Sequence, residues 1–216
     1  MGIGLVGASI IERTRGLCAE ISDLPVDEQV EVLNEIKVAL HDASPFRDEP
    51  VDCVLWVAGE RVEANDYNPN VVAPPEMRLL ELSIENDRYT QPIVSWVEGG
   101  HYEVIDGFHR NRIGKECKQI RERLHGYLPI TVINGDRQER ADRIAATIRH
   151  NRARGKHQVS GMSDIVLELS RRNWSEKKIA KELGMEPDEV LRLKQITGLA
   201  DLFADKEFSE AWEIST

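Results

Sequence analysis

Tyr102-Glu-Val-Ile-Asp-Gly-Phe-His-Arg-Asn-Arg112 is the stretch on which the fold turns. Tyr102 to Ile105 reads as a short strand, and a helix is expected from about Arg110 to Leu124. Gly107 stands between them, where a missing Cβ permits close backbone approach. The first N–H groups of the following helix would point out of such a turn and favour an anion. Arg110 and Arg112 add charged donors suited to phosphate oxygens. His109 can hold a phosphate or shuttle a proton. Taken alone, the pattern equally describes a tight turn before a solvated basic helix.

Working outward, Pro92 to Val97 reads as a strand joined to Tyr102–Ile105 through the Glu98-Gly-Gly100 turn. Downstream come a strand at Pro129 to Ile133 and a helix at Gln138 to His150. Upstream, Ser22 to His41 is an amphipathic helix with Pro25 near its start and Val26, Val30, Leu33, Ile36 and Leu40 at helical spacing. A loop at Ser44 to Pro50, a strand at Val51 to Val57, turn chemistry at Asn65 to Pro69 and a short helix at Glu76 to Ile84 complete it. This alternation predicts an α+β domain with a small mixed sheet.

From Gly161 onward the reading is helical: Met162 to Arg172, Glu176 to Leu183, Asp188 to Ile196, and a weaker helix after Leu199. Ala180-x3-Gly184-x5-Val190-x2-Leu193 is helix-turn-helix spacing. A small residue sits where the helices cross, and glycine takes the left-handed turn. Ile179, Leu183, Val190 and Leu193 supply the shared core, Ser175 caps the first helix, and Pro187 suits the first turn of the second. Three parts are expected: an N-terminal helical extension over 1–50, the sheet domain over 51–155 and the helix-turn-helix over 156–216.

Net charge is −10, which argues against indiscriminate nucleic-acid binding. Yet Gly107 to Lys156 holds thirteen Lys/Arg against five Asp/Glu. A basic centre in an acidic chain suggests a discrete anionic ligand. Cys18, Cys53 and Cys117 are odd in number and form no CxxC, so they read as small buried residues in a reducing cytoplasm. No apolar run is long enough to span a bilayer. The apolar opening Met1 to Ile11 lacks a basic n-region and runs into Glu12 and Arg13, unlike a secretory signal.

The ordered series Asn68-Pro69, Leu79 to Ile84, Gln91-Pro92-Ile93-Val94, Tyr102 to Gly107, Arg110-x-Arg112 and Asn151-x-x-Arg154, leading into the helix-turn-helix, resembles the ParB/sulfiredoxin-like superfamily. Within it the chain is most similar to the IbrB-like branch, named for co-activation of prophage gene expression. The resemblance covers roughly Val51 to Leu202. It implies a nucleoside triphosphate (CTP or ATP) with magnesium as a possible companion. Phosphate would be held by Asp106, Gly107, His109, Arg110, Arg112, Asn151 and Arg154, the base would lie beside Gln91 and Pro92, and Asn151 would face the metal.

Departures temper what carries over. Phe108 stands where ParB proteins have glutamate and sulfiredoxins a nucleophilic cysteine. His150-Asn151 replaces a Glu-Asn pair, and imidazole suits magnesium poorly. Arg88 replaces a glycine before Gln-Pro, which leaves the base open. No length remains after Thr216 for a ParB-type dimerisation domain, so a complete chromosome-partition protein is not expected. Asp106-Gly-Phe-His-Arg110 also differs at one position from the Asp-Gly-His-His-Arg of free serine kinases. That keeps a small-molecule kinase or ATPase as the alternative, with Glu63 or Glu76 as candidate base and weak or absent hydrolysis otherwise.

The expected function is therefore a cytoplasmic, nucleotide-binding, DNA-associated transcription regulator of bacterial or prophage type, with a protein partner or homodimer. Arg152, Arg154, Arg192, Lys194 and Gln195 are the DNA-facing candidates. Base reading is expected to be limited, because Glu186, Asp188 and Glu189 crowd the leading end of the recognition helix.

Overall fold

A computed structural model describes residues 2–66, 74–133, 139–152 and 159–203. By contacts the chain divides into two compact units. The first comprises residues up to Asn65 and, among those described, 74–133. The second comprises Asp66 and residues from 139 onward.

The first unit is built on a five-stranded mixed sheet. Its strands are β1 (Leu55–Ala58), β2 (Val62–Glu63), β3 (Ile93–Glu98), β4 (His101–Asp106) and β5 (Tyr127–Val132), in the order β1-β5-β3-β4-β2. β3 and β4 form the expected hairpin. Its two-residue turn is Gly99-Gly100, with φ of 57° and 83°, the left-handed pair that matches strand twist. β1–β5 is antiparallel, while β3–β5 and β2–β4 are parallel. The mixed α/β character expected from the sequence is what forms.

Boundaries differ from expectation for local reasons. Pro50 has no N–H to give a ladder, and Pro50–Asp52 turns as a 3₁₀ segment, so β1 starts only at Leu55. Two-residue β2 was too short for any periodicity to show. The helix expected over Arg110–Leu124 is two: α4 (Phe108–Glu116) and α5 (Lys118–Arg123), broken at Cys117, whose ψ is 110°. Gly114 lets α4 approach β5 and its neighbours, since a Cβ there would lie 2.4 Å from Leu128 Cδ2 and from the Tyr89 hydroxyl.

Two helices precede the sheet, α1 (Leu5–Ile21) and α2 (Val26–Asp42). The first lies within the helical extension expected over 1–50, and apart from Ile21 its side chains are almost all exposed. α2 lies along edge strand β1. Asn34 gives Nδ2–H to the Trp56 carbonyl at 2.8 Å and takes the Trp56 N–H at 2.9 Å. One amide thus occupies both groups of a residue at an otherwise open sheet edge. α3 (Pro74–Asp87) packs with α4 and α5 around Ile84, Ile113 and Ile120.

The second unit is helical: α6 (Arg140–Arg152), α7 (Val159–Arg171), α8 (Glu176–Leu183) and α9 (Pro187–Phe203). One buried cluster runs through all four. The sequence order places α6 with the sheet domain, whereas Ala141, Ile144, Ala145 and Ile148 pack into this helical cluster. α9 is continuous through Ile196 to Phe203, where two helices were expected.

Candidate functional site

The Gly107 turn forms as its residues dictate. β4 ends at Asp106, Gly107 takes the left-handed conformation at φ 89°, and α4 starts at Phe108. Gly107 is also where Arg110 folds back. A Cβ on Gly107 would lie 2.9 Å from Arg110 Nε and Nη2. The guanidinium donates through Nη1 to Gln91 Oε1 and through Nη2 to Asp106 Oδ2 at 3.4 Å. Arg110 and Asp106 side chains are only 13% and 5% exposed, so this is a shielded pair rather than a surface one. Gln91, picked for the base side, meets the arginine picked for phosphate.

Tyr89 completes the arrangement, and sequence reading missed it. Its hydroxyl donates to the Arg110 carbonyl at 2.6 Å, fixing the first turn of α4. Burial pushes its pKa up to about 12, against partial opposition from Arg110 and Arg123. Nothing in the spacing singled out Tyr89, because the contact spans twenty-one residues.

His109 follows Phe108, whose ring meets it edge to face at 5.5 Å. Both imidazole nitrogens are buried without a hydrogen-bond partner among the described residues. Burial, and secondarily the Arg112 charge, holds its pKa below the ordinary 6.5. A neutral ring offers one donor and one acceptor. Asn111 Oδ1 and Ser95 Oγ are likewise buried and unpartnered among the described residues, in residues 3% and 0% exposed. Such atoms are costly unless a ligand or water reaches them.

Arg112 is exposed and paired with Glu116 at 2.9 Å, so it is less committed to the turn than Arg110. Pro92 is half-buried just before β3. For magnesium the fit is poor. Asp106, the one carboxylate between 106 and 112, is buried against Arg110, and Phe108 has no donor atom. Of the kinase-base candidates, Glu63 pairs with His101 at 3.1 Å on the surface, and Glu76 is exposed at the start of α3.

The remaining predicted residues belong to the second unit. Asn151 and Arg152 are on α6, although their side chains fall outside the description. Arg154 and the pair Asn68-Pro69 lie outside the described residues. Part of the basic stretch from Arg137 to His157 is spent internally. Arg140 binds Asp66 at 2.8 Å and Glu168 at 3.1 Å, and Arg149 binds Glu182 at 2.5 Å.

The helix-turn-helix matches its reading closely. Ser175 Oγ accepts from the Lys178 N–H at 3.2 Å, and Gly184 is left-handed at φ 64°, ψ 38°. Ile179, Ala180, Leu183, Val190 and Leu193 are buried together. On α9, Asp188, Arg192 and Gln195 are exposed, whereas Lys194 reaches back to Glu176 at 2.9 Å.

No described helix is long and apolar enough to cross a membrane. Residues 157–205 match the family model described as the IbrB-like C-terminal HTH domain, which coincides with the helical end of the resemblance drawn from sequence. The chain is 55% identical over 202 residues to the uncharacterized protein YbdM of Escherichia coli strain K12, covering 93% of this chain and 95% of that one. Among solved structures, similarity is found to the C-terminally truncated chromosome-partitioning protein ParB of Caulobacter crescentus. In its complex with CTP-γ-S the identity is 17%, the coverage 69% and 83% of the two chains, and the TM-score 0.38. In its complex with the centromeric parS site the values are 16%, 66%, 71% and 0.45. A Pnob8-like ParB-N domain is similar at 14% identity, 71% and 73% coverage and a TM-score of 0.46.

Proposed function

We propose that this chain, which belongs to the YbdM family, is a nucleotide-responsive, DNA-associated regulator. The observation that carries the reading is the Gly107 turn. A helix N-terminus there is flanked by Arg110, shielded and preorganised, and by neutral His109, whose buried nitrogens lack partners among the described residues. Preorganised charged donors around open backbone N–H groups suit a phosphate group. The ligand would compete with Asp106 and Gln91 for Arg110, so occupancy is linked to rearrangement of that pair. The helix-turn-helix is the element through which DNA would be approached. Arg192 and Gln195 are among its exposed polar groups, with Arg152 and Arg154 as phosphate contacts.

Hydrolysis is expected to be slow or absent, because Phe108 and His150 stand where the resembling family has glutamates. The kinase reading draws on one specific feature, a neutral, half-buried His109 three residues after Asp106, a state fit for moving a proton. It lacks a positioned carboxylate base among Glu63 and Glu76. Calorimetric titration with the four ribonucleoside triphosphates, with and without magnesium, tests the proposal. One of them should bind, and Arg110→Ala should lose about 1.5–3 kcal/mol, roughly 10–150-fold in affinity. Equal binding by Arg110→Ala would remove the pocket from this turn. Fast magnesium-dependent turnover, with transfer to a free amino acid, would put the kinase first.

A further inference from the structure

We propose that Glu81, Glu85 and Cys117 form a site for a borderline-soft divalent cation of the zinc class, at the junction of α3 with the α4–α5 break. Glu81 and Glu85 are one helical turn apart on α3 and share a face. Cys117 comes from a separate element, at the residue where α4 stops and α5 begins. Two carboxylate oxygens and the sulfur all lie within 4.8 Å of one another. Ligands of a tetrahedral zinc, bonded at about 2.0–2.3 Å, stand roughly 3.4–3.7 Å apart. Small rotamer changes would close the difference.

The surroundings fit a cation. All three residues are half-buried, and Cys117 packs against the Ile84, Ile113 and Ile120 cluster, which screens one side from water. Like charges at i,i+4 destabilise a helix unless something offsets them. The nearby arginines do not, since Arg88 and Arg123 donate to the backbone carbonyls of Glu85 and Ile84. Neither carboxylate is ion-paired among the described residues. Mixed thiolate and carboxylate donors favour zinc, cobalt or cadmium over magnesium or calcium, which prefer oxygen alone. Three protein ligands leave a fourth position for water. A bound ion would tie α3 to α4, the helix that begins at Gly107. The site is independent of the nucleotide reading.

The test titrates the untagged full chain, metal-stripped and reduced, with Co²⁺ while recording thiolate-to-cobalt charge-transfer absorption. One equivalent should saturate the band, and Zn²⁺ should bleach it by displacement. Cys117→Ser should abolish it, Glu81→Gln and Glu85→Gln should each weaken affinity at least tenfold, and Cys18→Ser and Cys53→Ser should leave it unchanged. Circular dichroism confirms that each variant is folded, and the isosteric glutamine variants carry the test if Cys117→Ser is not. No band at one equivalent overturns the proposal. So does a band surviving Cys117→Ser, or glutamine variants that bind as the parent does.

Discussion

Around Val190 the helical unit closes one apolar cluster drawn from four helices, with buried Thr147 and Ser163, the buried Ser170 Oγ and the half-buried Arg149–Glu182 pair as its polar exceptions. Around Gly107 the sheet unit brings Arg110, Asp106, His109 and Asn111 inward in one place, with both His109 nitrogens and the Asn111 and Ser95 side-chain oxygens buried and unpartnered among the described residues. A core that satisfies itself gains stability from burial. A buried polar set that does not satisfy itself is retained at a cost, and functional sites are where such costs persist. The helical unit is thus expected to be sensitive to volume and insensitive to ligand, and the turn to behave oppositely.

The largest expected effect breaks the helical core. Ile179 is fully buried, and Ile179→Ala should cost about 2–5 kcal/mol, measured by urea unfolding. Amide exchange should accelerate in α6 to α9 while the sheet unit keeps its protection. Equal loss in both units would deny that they are separate compact bodies.

A smaller effect tests the turn. Gly107→Ala puts a side chain on a left-handed backbone, at roughly 1–2 kcal/mol. The nearest atoms to its Cβ would be those of the Arg110 guanidinium, which must shift to make room. Stability should fall modestly, as read in thermal unfolding, while triphosphate affinity drops more. A stability loss as large as that of Ile179→Ala would make the turn a structural keystone instead.

Protonation sharpens the contrast further. The folded pKa of His109 lies below 6.5, so its contribution to stability is present above that pH. The unfolded chain takes up the proton first, and the contribution is lost as pH falls from about 6.5 toward the folded value. NMR titration should place the His109 midpoint below 6.5, and an added triphosphate should raise it. His109→Gln should flatten this part of the acid limb. A midpoint unmoved by any phosphate ligand would separate His109 from the site.

The smallest effect concerns DNA. Arg192→Ala should lower the slope of log affinity against log salt by about one. Lys194→Ala should change it less, because Lys194 is held by Glu176. A mobility-shift series over salt reads both. Identical slopes would mean that the ion pair opens on the nucleic acid.

Features carried by neighbouring residues were legible in the chain. Ser175, Gly184 and Pro187 punctuate the helix-turn-helix because caps and left-handed turns are decided within four or five residues. Gly99-Gly100 and Gly107 set the hairpin and the strand-to-helix turn for the same local reason. Tertiary contact decided the rest. Whether α6 would join the sheet or the helices depended on which apolar face met Ile144 and Ile148, and its own periodicity is the same in either case. Gln91 and Asp106 are described partners of Arg110, and Tyr89 steadies its carbonyl. Two of those three lie on the far side of a hairpin. A local sequence pattern can announce an arginine suited to an anion, but the geometry that holds or withholds its charge arises only when distant segments are packed side by side.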